Sequence, residues 1–196
     1  MTIQDTSTGE DTSPGAATGA LTPDRSVTAL AADHWPLLAF IACAAMLGAA
    51  HAFETFGKLA PCLLCLKQRE VYWVTGAVAL VTIVLTRTTW AAKVRKPLVL
   101  LIGLGFLYGA GLAAYHAGAE WKWWPGPAAC AAGGAASADD LVAMLKGVKI
   151  AAPSCDKAVW IFLGLSMAGW NAVISLGLAV ASFLAGLRPS ASPKAG

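Results

Sequence analysis

Charge is what this sequence has least of. Asp, Glu, Lys and Arg together make up 13% of its 196 residues, about half their share in an ordinary soluble domain. With 57% hydrophobic residues and a mean hydropathy of +0.63, a typical soluble globule is excluded. The charges that are present do not gather. Fourteen basic and 11 acidic residues leave a formal net charge of +3, with no basic face that could track phosphates, so nucleic-acid binding has no support. Twenty glycines would suit a low-complexity chain, but eight tryptophans, five cysteines and long Leu, Val and Ile runs do not fit a disordered one.

The gaps between charges set the topology. Four long windows carry none: 34–53, 71–86, 97–119 and 158–187. A helix needs about 20 apolar residues to cross a hydrocarbon core of about 30 Å, and these windows are apolar on every face, whereas a soluble helix shows charge on its outer face. The sequence therefore predicts an all-α membrane protein, a four-transmembrane-helix bundle with spans at about 35–53, 67–86, 97–116 and 158–187. The second window covers only about 24 Å at 1.5 Å per residue, so its helix must begin before Glu70, with Arg69 and Glu70 near the headgroup boundary.

Residues 1–33 are rich in Thr, Ser, Gly, Asp and Pro and hold five acidic residues against one Arg, which reads as a disordered cytoplasmic tail; 188–196 is a second tail. The apolar run from Leu37 onwards, followed by Ala50-His51-Ala52, resembles a signal peptide, but the acidic segment ahead of it lacks a basic n-region, so an uncleaved first helix is expected. Four spans put both termini and the 87–96 loop on one side, and the loops 54–66 and 117–157 on the other. Arg87, Lys93, Arg95 and Lys96 without an acid place the 87–96 loop in the cytoplasm, although Lys58, Lys67 and Arg69 near the opposite loop make the asymmetry modest.

That parity puts Cys62, Cys65, Cys130 and Cys155 in one oxidising compartment, where disulfides persist. Cys62–Cys65 and Cys130–Cys155 are the simplest pairing. A four-thiolate zinc site is the competitor, but such sites usually use two close pairs, so no metal is expected. A bridge closing so small a ring as Cys62–Cys65 barely restricts the unfolded chain, which suits a redox centre better than a staple. Its place in the first turn of a helix, with Lys67 and Arg69 nearby, favours thiolate. Cys43 lies inside the first window and reads as a small buried hydrophobe.

Pro61-Cys62-Leu63-Leu64-Cys65 followed by Leu66-Lys67-Gln68-Arg69, then Tyr115-His116 closing the third span, Trp124-Pro125-Gly126-Pro127 ahead of Cys130, and Cys155 with Phe162-Leu163-Gly164-Leu165 and Trp170 complete a pattern. It resembles the DsbB-type disulfide bond formation proteins of bacterial inner membranes, over nearly everything but the two tails. The longer acidic tail and Cys43 depart from the family without touching its motifs.

The resemblance implies a protein-dithiol:quinone oxidoreductase, multi-pass in the bacterial inner membrane with its cysteine loops facing the periplasm. It would reoxidise a DsbA-type thioredoxin-fold partner and pass two electrons to the membrane quinone pool, ubiquinone before menaquinone. On the same ground Cys130 would meet the partner, Cys155 would pass electrons to the Cys62–Cys65 bridge, Cys65 would interact with the quinone, Arg69 would bind a quinone carbonyl, and His116 would hydrogen-bond the quinone or supply a proton. Physical chemistry agrees at several points. Cys130 follows Pro-Gly-Pro and precedes Ala-Ala-Gly-Gly, as an exposed, mobile disulfide requires. Cys65 and Arg69 stand at i and i+4 and share a helix face.

Between the loop cysteines, Ser137-Ala138-Asp139-Asp140 ahead of Leu141, Val142, Leu145 and Val148 predicts a short amphipathic helix on the membrane. Gln68 should orient or pack rather than react. Trp121, Trp123 and Trp124 fit an interfacial belt, Asn171 should face another helix, and His51 reads as structural. A membrane protein whose extracytoplasmic disulfides are purely structural is the rival reading, and it leaves the Gln-Arg sequel to Cys65 unexplained. A carrier bringing reductant outward would need cysteines on both sides, and a vitamin K epoxide reductase type enzyme normally has its Cys-x-x-Cys after the loop cysteines.

Overall fold

The computed structural model describes residues 30–127 and 154–188, with residues 142, 145 and 146 between them. The expected tails lie outside the described residues, except that positions 30–33 already form a helical turn and Arg188 closes the last helix. The loop helix expected around 137–148 also lies outside them, apart from Val142, Leu145 and Lys146, where the Lys146 N–H donates to the Val142 carbonyl at 3.1 Å.

Four long helices carry the described chain. Helix α1 is Trp35–Thr55, with Pro36 in its first turn, where a missing N–H forfeits no hydrogen bond. Helix α2 is Leu63–Leu85 and does begin before Glu70. Helix α3 is Ala91–Glu120, and α4 is Met167–Leu187. Three of them, α1, α3 from Lys93 onwards, and α4, are long and apolar enough to cross a membrane. Helix α2 falls outside that set because Lys67, Arg69 and Glu70 occupy its first two turns.

Several boundaries differ from the sequence reading: α2 starts four residues before the expected 67, and α3 ends four after the expected 116. Lys93, Arg95 and Lys96, expected in a loop over 87–96, already belong to the first turns of α3. The window 158–187 divides: Ile161–Phe162 (β1) and Leu165–Ser166 (β2) pair antiparallel, and α4 starts only at Met167. Leu163 and Gly164 join the two strands with φ of 50° and 80°, the left-handed pair that a tight two-residue hairpin turn requires. Ser166 then caps α4 by accepting the Gly169 N–H at 3.1 Å. Hydropathy is blind to this division, because a hairpin and a helix can be equally apolar.

The helices pack in sequence, α1 on α2, α2 on α3 and α3 most extensively on α4, while α1 makes few contacts with α4. Large apolar side chains face outward: Ile41 on α1, Trp73 and Val81 on α2, Leu104 on α3, and Val180 and Leu184 on α4 are each at least half exposed. The interior holds Ile102 and Phe106 of α3 together with many small or polar side chains, among them Ala39, Thr75, Ala79, Thr82, Ser175 and Ser182, all buried. An apolar outer face matches lipid as solvent, and small interior residues let helices approach closely. Helix α3 depends on that closeness: a Cβ at Gly105 would stand 2.5 Å from Thr75 Oγ1 on α2. Gly105→Leu is expected to force α2 and α3 apart, at about 1–3 kcal/mol for overpacking. A lower Tm in detergent checks this, and an unchanged Tm would mean the two helices separate freely here.

The sparse contact between α1 and α4 leaves a gap at the end where α2 begins and α3 finishes. A cavity of about 240 Å³ occupies it, with walls from all four helices and a cover from the 154–160 segment.

Candidate redox site

Pro61 leads into Cys62, whose extended backbone (φ −77°, ψ 170°) makes it the cap of α2; its Sγ accepts the Cys65 N–H at 3.2 Å. One turn of helix thus brings the two sulfurs to 2.7 Å from each other. Both are free thiols, so where the sequence predicts a bridge the structure shows the dithiol form of the pair. Cys62 is buried and Cys65 half-buried, and both face the cavity. The Cys65 thiol donating to Cys62 holds the Cys62 thiol well below the usual range, against the opposing effect of burial and with help from His116.

His116 on α3 stands behind Cys62, its Nε2 3.6 Å from Sγ. Its Nδ1 lies 2.9 Å from Gln68 Nε2. An amide nitrogen only donates, so Nδ1 accepts, and the proton of the neutral imidazole sits on Nε2, facing the sulfur. Gln68 is held in this orientation by Asn171 of α4, whose Nδ2 donates to Gln68 Oε1 at 2.5 Å. Asn171 is held in turn by Tyr72 of α2, whose hydroxyl donates to Asn171 Oδ1 at 2.5 Å and lies 2.7 Å from Ser175 Oγ. The buried chain of hydrogen bonds links three helices to one sulfur, and such a satisfied network specifies a single arrangement. Gln68 is thus packed between His116 and Asn171, and Asn171 faces another helix, as the sequence predicts.

Glu120, one turn beyond His116, brings Oε1 to 3.7 Å from His116 Nε2, with both side chains about 5% exposed (5% and 6%). Arg69 follows Cys65 by one turn and lines the same cavity. Its Nη1 donates to Glu54 Oε2 at 2.5 Å and its Nη2 to the Ala50 carbonyl at 3.2 Å. Glu54 therefore anchors a guanidinium that the sequence alone shows only at the headgroup boundary.

Cys155 is disulfide-bonded and only 1% exposed. It shares one buried cluster with Cys62 and Leu64, so the structure brings a loop cysteine to the helix pair. Cys130 lies outside the described residues. A four-cysteine zinc site would need Cys155 as a thiolate, which its disulfide precludes. Cys62, Cys65 and His116 do place three donor atoms within 4.8 Å of one another, one short of the four that a closed structural zinc site uses.

Around the cavity the loops are braced by aromatic rings and charge. Phe53 and Trp160 lie 5.3 Å apart, and Trp160 stacks on Phe162 at 5.7 Å. The exposed Trp121, Trp123 and Trp124 form one cluster that ends on Tyr115. Lys122 and Asp156 pair across the loops, and Lys122, with the Ser154 hydroxyl, lowers the Asp156 carboxyl to about 2. Away from the site, Cys43 is buried against Gly76, and His51 Nδ1–H donates to the Leu47 carbonyl at 2.8 Å, both structural roles.

Sequence reasoning passed over Tyr72, Glu54 and Glu120. For two of these a signal existed: Tyr72 follows Gln68, and Glu120 follows His116, by four residues within apolar helices, which places each pair on one face.

Comparison with known proteins agrees with this architecture. The family described as Disulfide bond formation protein DsbB matches residues 32–185. Disulfide bond formation protein B of Methylococcus capsulatus (strain Bath) is 32% identical over 157 residues, covering 76% of this chain and 90% of that protein. The protein of the same name from Nitrosococcus oceani is 31% identical over 147 residues, 74% of this chain and 85% of the relative. That of Dechloromonas aromatica is 33% identical over 146 residues, 70% and 82% of the two chains. No solved structure matches the chain.

Proposed function

This chain belongs to the DsbB family of disulfide bond formation proteins, and from that premise we propose that it is a membrane protein-dithiol:quinone oxidoreductase. It reoxidises a periplasmic DsbA-type thiol oxidase and passes the electrons to quinone, generating disulfides de novo. The observation that carries the reading is the burial of disulfide-bonded Cys155 in one cluster with Cys62, which together with Cys65 and Arg69 lines the cavity.

The steps balance as thiol–disulfide exchange. A partner thiolate attacks Cys130 of a Cys130–Cys155 bridge, and Cys155 leaves as a thiolate. Cys155 attacks Cys62 of the oxidised pair and displaces Cys65. The partner's second thiol releases Cys130 and departs oxidised; Cys130 then re-forms its bond to Cys155, and the helix pair is left as the dithiol. Quinone supplies a lipid-soluble acceptor for two electrons and two protons. The cavity suits such a head group: Met46, Phe53, Met167 and Ile174 make its walls apolar, and the guanidinium N–H groups of Arg69 not bound to Glu54 or Ala50 can donate to a carbonyl oxygen.

In this reading α2 is the fourth span, because Trp73, Val74, Val81 and Val84 give it an exposed apolar face like those of the other three. The basic residues from Arg87 to Lys96 stay in the cytoplasm, which puts the loops 54–66 and 117–157 in the periplasm of a bacterial inner membrane. The test is purified protein in detergent with a reduced DsbA-type partner, following ubiquinone loss in the ultraviolet. One quinone consumed per partner dithiol is the expected stoichiometry. No consumption with either ubiquinone or menaquinone would leave only a structural role for the disulfides.

A further inference from the structure

Among the described residues Glu120 is the one acidic side chain lining the cavity, and nothing in the exchange steps uses it. Its side chain is 6% exposed, and the Ser166 hydroxyl donates to its carboxylate. Its Oε2, however, is buried and has no hydrogen-bond partner among the described residues. A carboxylate oxygen left buried and unpaired is costly, so the position needs a reason. The titratable and charged groups that line the cavity with it are His116 on its own helix, Cys62, Cys65, Arg69 and Tyr72 from the start of α2, and Lys157 from the covering segment.

Oxidation of the Cys62–Cys65 dithiol releases two protons as well as two electrons, and a largely apolar cavity offers few groups to take them. His116 is the obvious base, but the hydrogen bond from Gln68 occupies Nδ1 and leaves Nε2 protonated, so it can donate to a sulfur anion and cannot accept the thiol proton at that nitrogen. Its Nε2 lies within 4 Å of both Cys62 Sγ and Glu120 Oε1, at 3.6 and 3.7 Å.

We propose that Glu120 is the proton acceptor of the dithiol pair, while His116, held by Gln68 and Asn171, is the fixed donor that steadies the Cys62 sulfur. With Cys62 already ionised, the Cys65 S–H bond breaks and an O–H bond forms on Glu120. The two sulfurs then join, both electrons go to quinone, and the reduced quinone takes one proton from Glu120 and one from the bulk water that received the Cys62 proton. This inference rests on the function proposed above.

The test uses the full-length protein with Glu120→Gln, which keeps the shape and cannot hold the proton. Dithiol oxidation by ubiquinone is expected to slow about 100-fold, the scale of one acid–base group, and to lose the wild-type pH dependence, while reduction of the loop disulfide by the partner keeps its rate. A second readout needs no quinone. The infrared difference between the oxidised and reduced wild type is expected to contain the carbonyl band of a protonated carboxylic acid, shifted in Glu120→Asp and lost in Glu120→Gln. A wild-type rate and pH profile in Glu120→Gln, or the absence of that band in the wild type, overturns the inference and leaves the oxidoreductase reading intact. A wild type that consumes no quinone overturns both.

Discussion

A chain carrying Cys65→Ala is expected to consume no quinone above background, a loss of at least about a thousandfold, because residues that act as one unit fail together. Without the second sulfur, Cys62 cannot be part of a disulfide, and nothing in the cavity can accept electrons from the loop. The same variant should still meet the partner. Cys155 is disulfide-bonded independently of the helix pair, so one equivalent of reduced partner should open the loop bridge and then stop. Gel-shift alkylation counts the new thiols, and loss of ultraviolet quinone absorbance reports the rest. Continued quinone turnover in Cys65→Ala would move the acceptor site away from the cavity and sink the assignment.

The second expectation concerns acid. Cys62 has its thiol lowered by the Cys65 donor and by His116, so the thiolate persists as the pH falls and is lost only when the pH passes below that lowered value. An ordinary cysteine near 8.5 is less than about 1% thiolate at pH 6. In the reduced protein Cys62 should therefore react with iodoacetamide at pH 6 roughly 100-fold faster than a denatured control, after correction for access measured at pH 9. His116→Ala should remove part of that advantage, because the imidazole contributes second to Cys65. Equal rates at pH 6 for folded and denatured protein would show that burial outweighs both donors.

These expectations draw on residues of unequal visibility. Cys62 and Cys65 could be read directly, since spacing along one helix turn settles which atoms meet. Arg69 was visible as a residue on the same face, but its ion pair with Glu54 was not, because Glu54 ends a different helix. His116 could be placed at the outer end of a span, yet its tautomer depends on Gln68, 48 residues away. Gln68 in turn depends on Asn171, 103 residues further along. Glu120 looked like the charge that ends a window; only the folded chain shows its side chain turned inward against the cavity.

Whatever depends on one coordinate along the chain is legible without the fold. Gaps between charges, set against the thickness of a hydrocarbon core, mark the helices. Cys-x-x-Cys at a helix start predicts a capped, thiolate-favouring pair. The tertiary structure alone decided how the helices are rotated against each other, and therefore which polar groups meet inside. It also decided that the last apolar window opens as a hairpin before Ser166 caps α4. The reason is physical: lipid accepts any apolar outer face, so hydropathy leaves rotation open. Close contacts such as Gly105 against Thr75, together with the buried network joining His116, Gln68, Asn171 and Tyr72, then select a single packing.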